Sequence, residues 1–316
     1  MSARRRIDVH HHAIPAPYAR WLRAKGVADA SGRALPEWSP EGSLAVMDAN
    51  GVATALLSVS APGVHVDPTK RDDAEARAMA RTVNEHVAGV ARAHPGRFGF
   101  FATLPMPDVE GAIAEARFAL DELGADGVVL LANGLGRYLG DPDDEPLFAE
   151  LARRAAVVFV HPTMLPSPPV EGIPPFAADF LLDTTRAAYR LVRAGVVQRH
   201  PELRFVLSHA GGFVPYASHR LAMALVPETR RAPEALIEDF RSFWFDTALS
   251  SSAAALPSLL AFAKPGHVLY GSDHPFAPPV AIEYFTKQLD AHPGLAGDVR
   301  AAIDRRSAEA LFPRFA

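Results

Sequence analysis

Short apolar runs alternate along this chain with longer stretches whose apolar positions recur every three or four residues. The runs that read as strands are Ile7–Val9, Ala53–Ser58, Arg97–Thr103, Gly127–Leu131, Val157–Val160, Arg204–Ser208, Trp244–Thr247 and Val268–Gly271. Helical patterns lie between them, among them Ala74–Ala93, Val109–Leu123, Glu145–Arg154, Thr184–Arg199 and Ala253–Phe262. Apolar strands separated by amphipathic helices predict a parallel sheet. About eight such units in 316 residues predict a closed (β/α)8 TIM barrel rather than an open doubly wound sheet. No Gly-x-Gly-x-x-Gly follows the first strand, which also argues against a dinucleotide-binding domain. No linker divides the chain, so residues 1–316 read as one domain. Pro15–Pro40 after strand one and Pro166–Pro175 after strand five predict long loops at the active-site end.

Strand one runs into Asp8-Val9-His10-His11-His12. Side chains two apart on a strand share a face, so His10 and His12 converge and His11 points away. Three further features stand at strand ends, where barrel chemistry lies. His161 ends strand five, His209 ends strand six and Asp273 ends strand eight. Five nitrogen and oxygen ligands on one barrel face predict a divalent metal site. Zinc suits so imidazole-rich a set, and manganese is a plausible substitute. The remaining histidines read as structural. His94 and His200 sit in an internal echo, Arg92–Phe98 against Arg199–Phe205, where a helix gives way to a strand. His267 also precedes a strand, His86 and His219 lie in helices, and His292 lies in a late loop.

Composition narrows the partners. Cysteine is absent, so a metal must be held by histidine and carboxylate. The net charge of −4 offers no basic surface for nucleic acid. No apolar stretch is long enough for a membrane, and Arg4-Arg5-Arg6 is not followed by a signal-type apolar segment. The expected setting is the cytoplasm and the expected partner a small molecule.

Trp38 and His65, on loops after strands one and two, are candidates to line a pocket. Phe213 and Phe276 directly follow the chemical residues and are candidates to sandwich a ring. Core packing is the competing reading for these aromatics.

In combination, several segments resemble the amidohydrolase superfamily over nearly the whole chain. They are Asp8–His12, Trp38–Glu41, Met47-Asp48 with Gly51, Ser58–His65, Tyr138–Pro142, Val160–Pro162, Asp183–Arg186, Ser208–Gly212 and Gly271–Phe276. The resemblance is strongest to the branch of aminocarboxymuconate semialdehyde, γ-resorcylate and 6-methylsalicylate decarboxylases. It implies one metal ion held by His10, His12, His161 and Asp273, with His209 beside the metal-bound water or substrate. Two-metal relatives place a carboxylated lysine at the end of strand four; Val129–Asn133 contains none, which favours a single ion. The resemblance further implies a carboxy-lyase acting on a small aromatic or unsaturated acid, with Asp273 or His209 delivering the proton to the ring carbon. Hydrolysis of a lactone, amide or other acyl substrate by the same residues is the alternative. Arg220 stands where relatives supply an arginine to the substrate carboxylate of a neighbouring subunit, so a homodimer or dimer of dimers is expected. Two departures stand out. His274 replaces a usual aromatic residue, and Arg306-Ser307 replaces an apparent Gly-Asn in a terminal helix, where packing alone is at stake.

Overall fold

The computed structural model describes residues 5–30, 32–67, 69–295 and 297–316. Arg4, which begins the arginine run, lies outside them. Eight parallel strands follow one another in chain order: β1 Arg6–His12, β2 Val52–Ser58, β3 Phe98–Thr103, β4 Gly127–Leu131, β5 Val157–His161, β6 Arg204–Leu207, β7 Trp244–Asp246 and β8 Val268–Leu269. The ring closes where β8 returns to β1. Val9 donates to the Tyr270 carbonyl at 3.0 Å, and Asp273 donates to the His10 carbonyl at 2.8 Å. A helix follows each strand: α1 Pro40–Ala49, α2 Asp73–Ala93, α3 Val109–Asp121, α4 Glu145–Ala152, α5 Asp179–Arg193, α6 Val214–Thr229, α7 Ala255–Phe262 and α8 Pro279–Ala291. The molecule is a (β/α)8 TIM barrel, and no described helix is long and apolar enough to cross a membrane.

Local chemistry accounts for the elements. Buried positions on α2 fall at Ala76, Ala80, Val83, Asn84, Val87 and Ala88, a stripe of helical period facing the sheet. The Asp72 carboxylate caps α2 by accepting from Glu75 N, and Ser39 caps α1 by accepting from Gly42 N ahead of Pro40. Two apolar layers result. One lies between strands and helices; the other fills the barrel with Ile7, Val9, Leu56, Phe101, Val129, Phe159, Val206 and Leu269. The C-terminal residues Ala308, Leu311, Phe312 and Phe315 plug the bottom of that inner layer. In the segment that departs from the family pattern, Ser307 is buried beside them and Arg306 pairs with Asp298 at the surface.

Three expectations change. The first strand extends through His12, because His11 and His12 pair with Leu57 and Ser58 of β2. The helix read as Thr184–Arg199 begins at Asp179 and stops at Arg193, where Gly195 turns left-handed at φ 70° before a separate turn, Val196–Arg199. The loop read as Pro15–Pro40 contains a helix, Ala16–Ala24, and a tight two-stranded turn joining Asp29–Ala30 to Arg33–Ala34.

Candidate active site

The C-terminal ends of β1, β5, β6 and β8 bring five side chains together. His10 Nε2 and His12 Nε2 lie 3.0 Å apart, and Asp273 Oδ1 is 3.2 Å from the first and 3.1 Å from the second. His10, His161, His209 and Asp273 each direct a ligand atom into one group whose atoms all lie within 4.8 Å of one another. All five residues are buried. His11 faces the other way, bonded to Asp8 at 3.0 Å and to Ser43 Oγ at 3.0 Å.

Three of these imidazoles are oriented through Nδ1. His10 Nδ1 donates to Asp246 Oδ2 at 2.7 Å, His161 Nδ1 donates to the Pro162 carbonyl at 2.7 Å, and His12 Nδ1 meets Ser58 Oγ at 2.9 Å. With the Nδ1 protons directed outward, the Nε2 lone pairs converge with a carboxylate oxygen. That arrangement is repulsive unless a cation or proton sits among them. Donor separations near 3 Å also match the roughly 3.0–3.4 Å between neighbouring ligand atoms that bonds of about 2.1 Å to one ion produce. The residues present therefore fit a divalent ion.

Electrostatics point the same way. Burial opposes a charge on His10, but Asp246 and Asp273 outweigh it and lift its pKa to about 10. Burial drives His12 down to about 4, with Asp273 only partly opposing. Burial favours the neutral acid at Asp273, yet hydrogen bonds to His10, His12 and His209 hold its carboxyl well below the usual range. Asp273 is thus a committed carboxylate.

The backbone is bent to serve this cluster. His209, Ala210 and Asp273 adopt left-handed φ values of 52°, 57° and 64°, costly for residues with a Cβ. Asp246 stabilises the first of these bends, its Oδ1 accepting from His209 N at 3.0 Å and from Ala248 N at 2.9 Å. Gly212 must be glycine, since a Cβ there would lie 2.1 Å from the Leu181 carbonyl oxygen. Asp246, fully buried at the end of β7, was missed in the sequence. Its one signal is a lone carboxylate in the apolar run Trp244-Phe245-Asp246.

Above the cluster lies a cavity of about 170 Å³. Its walls are mostly hydrocarbon, with Phe176, Phe180, Leu249 and Phe276 prominent, and its floor is His161, His209 and Asp273. The loops after β1 and β5 meet over it, the Arg33 guanidinium sitting 5.3 Å from the centre of the Phe176 ring. Arg33 lines the cavity without a carboxylate partner among the described residues. No sequence pattern distinguished it from other loop arginines.

The other expected contacts divide. Phe276 lines the cavity and packs edge-on against His12 at 5.2 Å. Trp38 does not line it; its Nε1–H donates to Ser43 at 2.9 Å, behind His11. His65 lines a separate hollow of about 450 Å³ between the loops after β2 to β5, donating to the Pro105 carbonyl at 3.2 Å. The Phe213 ring is 39% exposed outside the cavity, because its backbone is tied to Thr185. Arg220 is exposed on α6 with no partner among the described residues. His274 packs against His11 at 4.8 Å, behind the site. The structural reading of the bottom histidines agrees with their contacts: His200 bonds Glu145 at 2.7 Å, and His267 stacks on Trp244 at 4.1 Å.

A barrel whose strand ends present histidines and an aspartate around one cation site defines a metal-dependent enzyme of the amidohydrolase type. The amidohydrolase family model matches residues 7–314, and the chain belongs to that family. Within it, the chain falls in the decarboxylase branch. It is 40% identical over 98% of its length to a 6-methylsalicylic acid decarboxylase of Penicillium expansum, covering 96% of that protein. It is also 40% identical to the decarboxylase yanB of Aspergillus niger, covering 98% of this chain and 88% of that one. A solved amidohydrolase II structure superposes with a TM-score of 0.90 at 28% identity, covering 98% and 99% of the two chains. The chain is accordingly a carboxy-lyase rather than an acyl hydrolase.

Proposed function

We propose that this enzyme removes CO₂ from a single-ring 2-hydroxybenzoic acid bearing at most a small alkyl group. The observation that carries the substrate class is the hydrocarbon-walled cavity ending on the histidine–aspartate cluster. Its volume of about 170 Å³ is close to the roughly 150 Å³ of an apolar cavity that accepts benzene, so one ring fits and a fused pair does not. The likeness to 6-methylsalicylic acid decarboxylase supports the same class.

His10, His12, His161 and Asp273 would hold the ion, zinc by preference and manganese as a substitute, which supplies Lewis acidity toward the acid group. The chain's own residues then do three things. Phe180, Leu249 and Phe276 exclude water and press the ring into place. Arg33, uncompensated at the mouth, draws in an anionic acid. His209 delivers a proton to the ring carbon that bears the carboxylate. The carbon–carbon bond breaks, its electron pair restores the aromatic ring, and CO₂ leaves. Asp273 is a poor proton source because its neighbours hold it ionised; its Oδ2 lies 3.7 Å from His209 Nε2 and stabilises that imidazole when charged.

Turnover in D₂O is expected to place one deuterium on the carbon that lost CO₂, read by NMR of the phenol. Release of CO₂ without deuterium at that carbon would refute the proton-transfer step. Failure of every 2-hydroxybenzoic acid would refute the substrate class.

Arg220 supports a second element, a homodimer or dimer of dimers in which this arginine reaches the partner's cavity. Beside it on α6, Tyr216 is 87% and Met223 57% exposed, an apolar surface suited to a subunit contact. Arg220→Ala is expected to lower kcat/KM by roughly 2–5 kcal/mol in transition-state terms with metal content unchanged. Mixing it with His209→Ala under subunit exchange should restore activity. No recovery despite proven exchange would show that Arg220 does not act across an interface. The compartment proposed is the cytoplasm.

A further inference from the structure

Two buried polar atoms on the cavity lining have no hydrogen-bond partner among the described residues, His209 Nδ1 and Ser60 Oγ. The first belongs to the acid–base residue. The second has had no role. Ser60 is only 2% exposed and lies just beyond β2, two residues after the Ser58 hydroxyl that meets His12. Its carbonyl accepts from Gly63 N at 2.8 Å in a tight turn, and the residue is part of the cavity lining. A buried hydroxyl left unpaired costs about 1–3 kcal/mol, and alanine would fill the same space without that cost.

We infer that Ser60 is a specificity-determining residue whose hydroxyl pairs with the ring hydroxyl of the substrate. The inference deepens the proposed 2-hydroxybenzoic acid chemistry and rests on it. The chemistry of the partner follows from the cavity. A substrate carboxylate is an anion and is met by Arg33 and the cation-binding cluster. Ser60 aside, the rest of the lining outside the cluster is hydrocarbon apart from Ser250, which is partly exposed. A serine hydroxyl is neutral and both gives and accepts a proton, as a phenol does. Of the cavity groups outside the cluster, Ser60 is the buried one still lacking a partner. The phenol survives the reaction, so the same contact holds substrate and product.

The test uses the full-length, metal-loaded enzyme and reads binding by calorimetry, with 3-methylphenol and toluene as probes of one size differing in the hydroxyl. Ser60→Ala is expected to weaken 3-methylphenol about tenfold, the worth of one buried hydrogen bond, and to leave toluene within about twofold. Ser60→Thr, which keeps the hydroxyl, should keep the preference. The melting temperature of ligand-free Ser60→Ala should be unchanged or higher, because no native bond is lost. Equal weakening of both probes, weakening of neither, or a lowered melting temperature would overturn the assignment. Probe binding does not depend on turnover. A wild-type enzyme that preferred 3-methylphenol but decarboxylated no 2-hydroxybenzoic acid would therefore refute the substrate class and leave the Ser60 contact standing.

Discussion

Replacing His12 with alanine is expected to abolish metal binding and turnover together. His12 Nε2 sits 3.0 Å from His10 Nε2 and 3.1 Å from Asp273 Oδ1. Its removal leaves three of the four residues proposed to hold the ion, and a cavity that opens toward Phe276. The loss should exceed the roughly 10–100-fold in metal affinity typical of changes one step further out. Asp246→Asn supplies that comparison. It keeps the size but weakens the bond to His10 Nδ1, and it should lower affinity within that range while retaining some activity. Elemental analysis after dialysis against a chelator, followed by titration with zinc, reads both. A wild-type chain carrying two ions, or a His12→Ala chain that keeps one tightly, would refute the single-ion site.

His209→Ala separates chemistry from coordination. His209 is buried, its Nε2 lies 3.7 Å from Asp273 Oδ2, and its Nδ1 has no partner among the described residues. A ligand locked in place by hydrogen bonds from behind, like His10 or His161, has a different environment. The substitution is expected to retain most of the ion and to reduce kcat by roughly 10²–10⁴, the usual contribution of a positioned acid–base group. KM should change little, since the cavity walls remain. His209 also lies among the atoms able to reach one ion, so the metal assay decides its role. If His209→Ala emptied the site as completely as His12→Ala, His209 would be a ligand and the proton would have to come from elsewhere.

Much of this was legible in the chain. Apolar strands at regular intervals must be buried on both faces, and about eight βα units in 316 residues favour a ring with an outer layer of helices over an open doubly wound sheet. The two-residue period of a strand places His10 and His12 together, and the strand-end positions of His161, His209 and Asp273 put them on the same face. These are local rules, and the local sequence suffices to apply them. The limits of the elements were less legible where tertiary contacts decide them. His11 and His12 became strand because β2 pairs with them, and α5 ended at Arg193, ahead of the left-handed Gly195, although its apolar period continued.

The cavity wall was the part that tertiary structure alone decided. Trp38, His65 and Phe213 are aromatic and near the site in sequence, yet their side chains leave it. Trp38 is drawn to Ser43 and His65 to the Pro105 carbonyl, while the Phe213 backbone is tied to Thr185 and its ring stays outside. Arg33 enters the site without any periodic or motif signal, Ser60 is one position of the family-like segment Ser58–His65 with nothing to mark it there, and Asp246 shows only as a lone carboxylate in an apolar run. A polar atom takes its role from the partners within about 3 Å, and for these residues the partners come from segments far away in the chain. Asp246 meets His10 across 236 positions. Chain order specifies which residues share a strand face; only the closed barrel specifies which faces, loops and lone pairs meet.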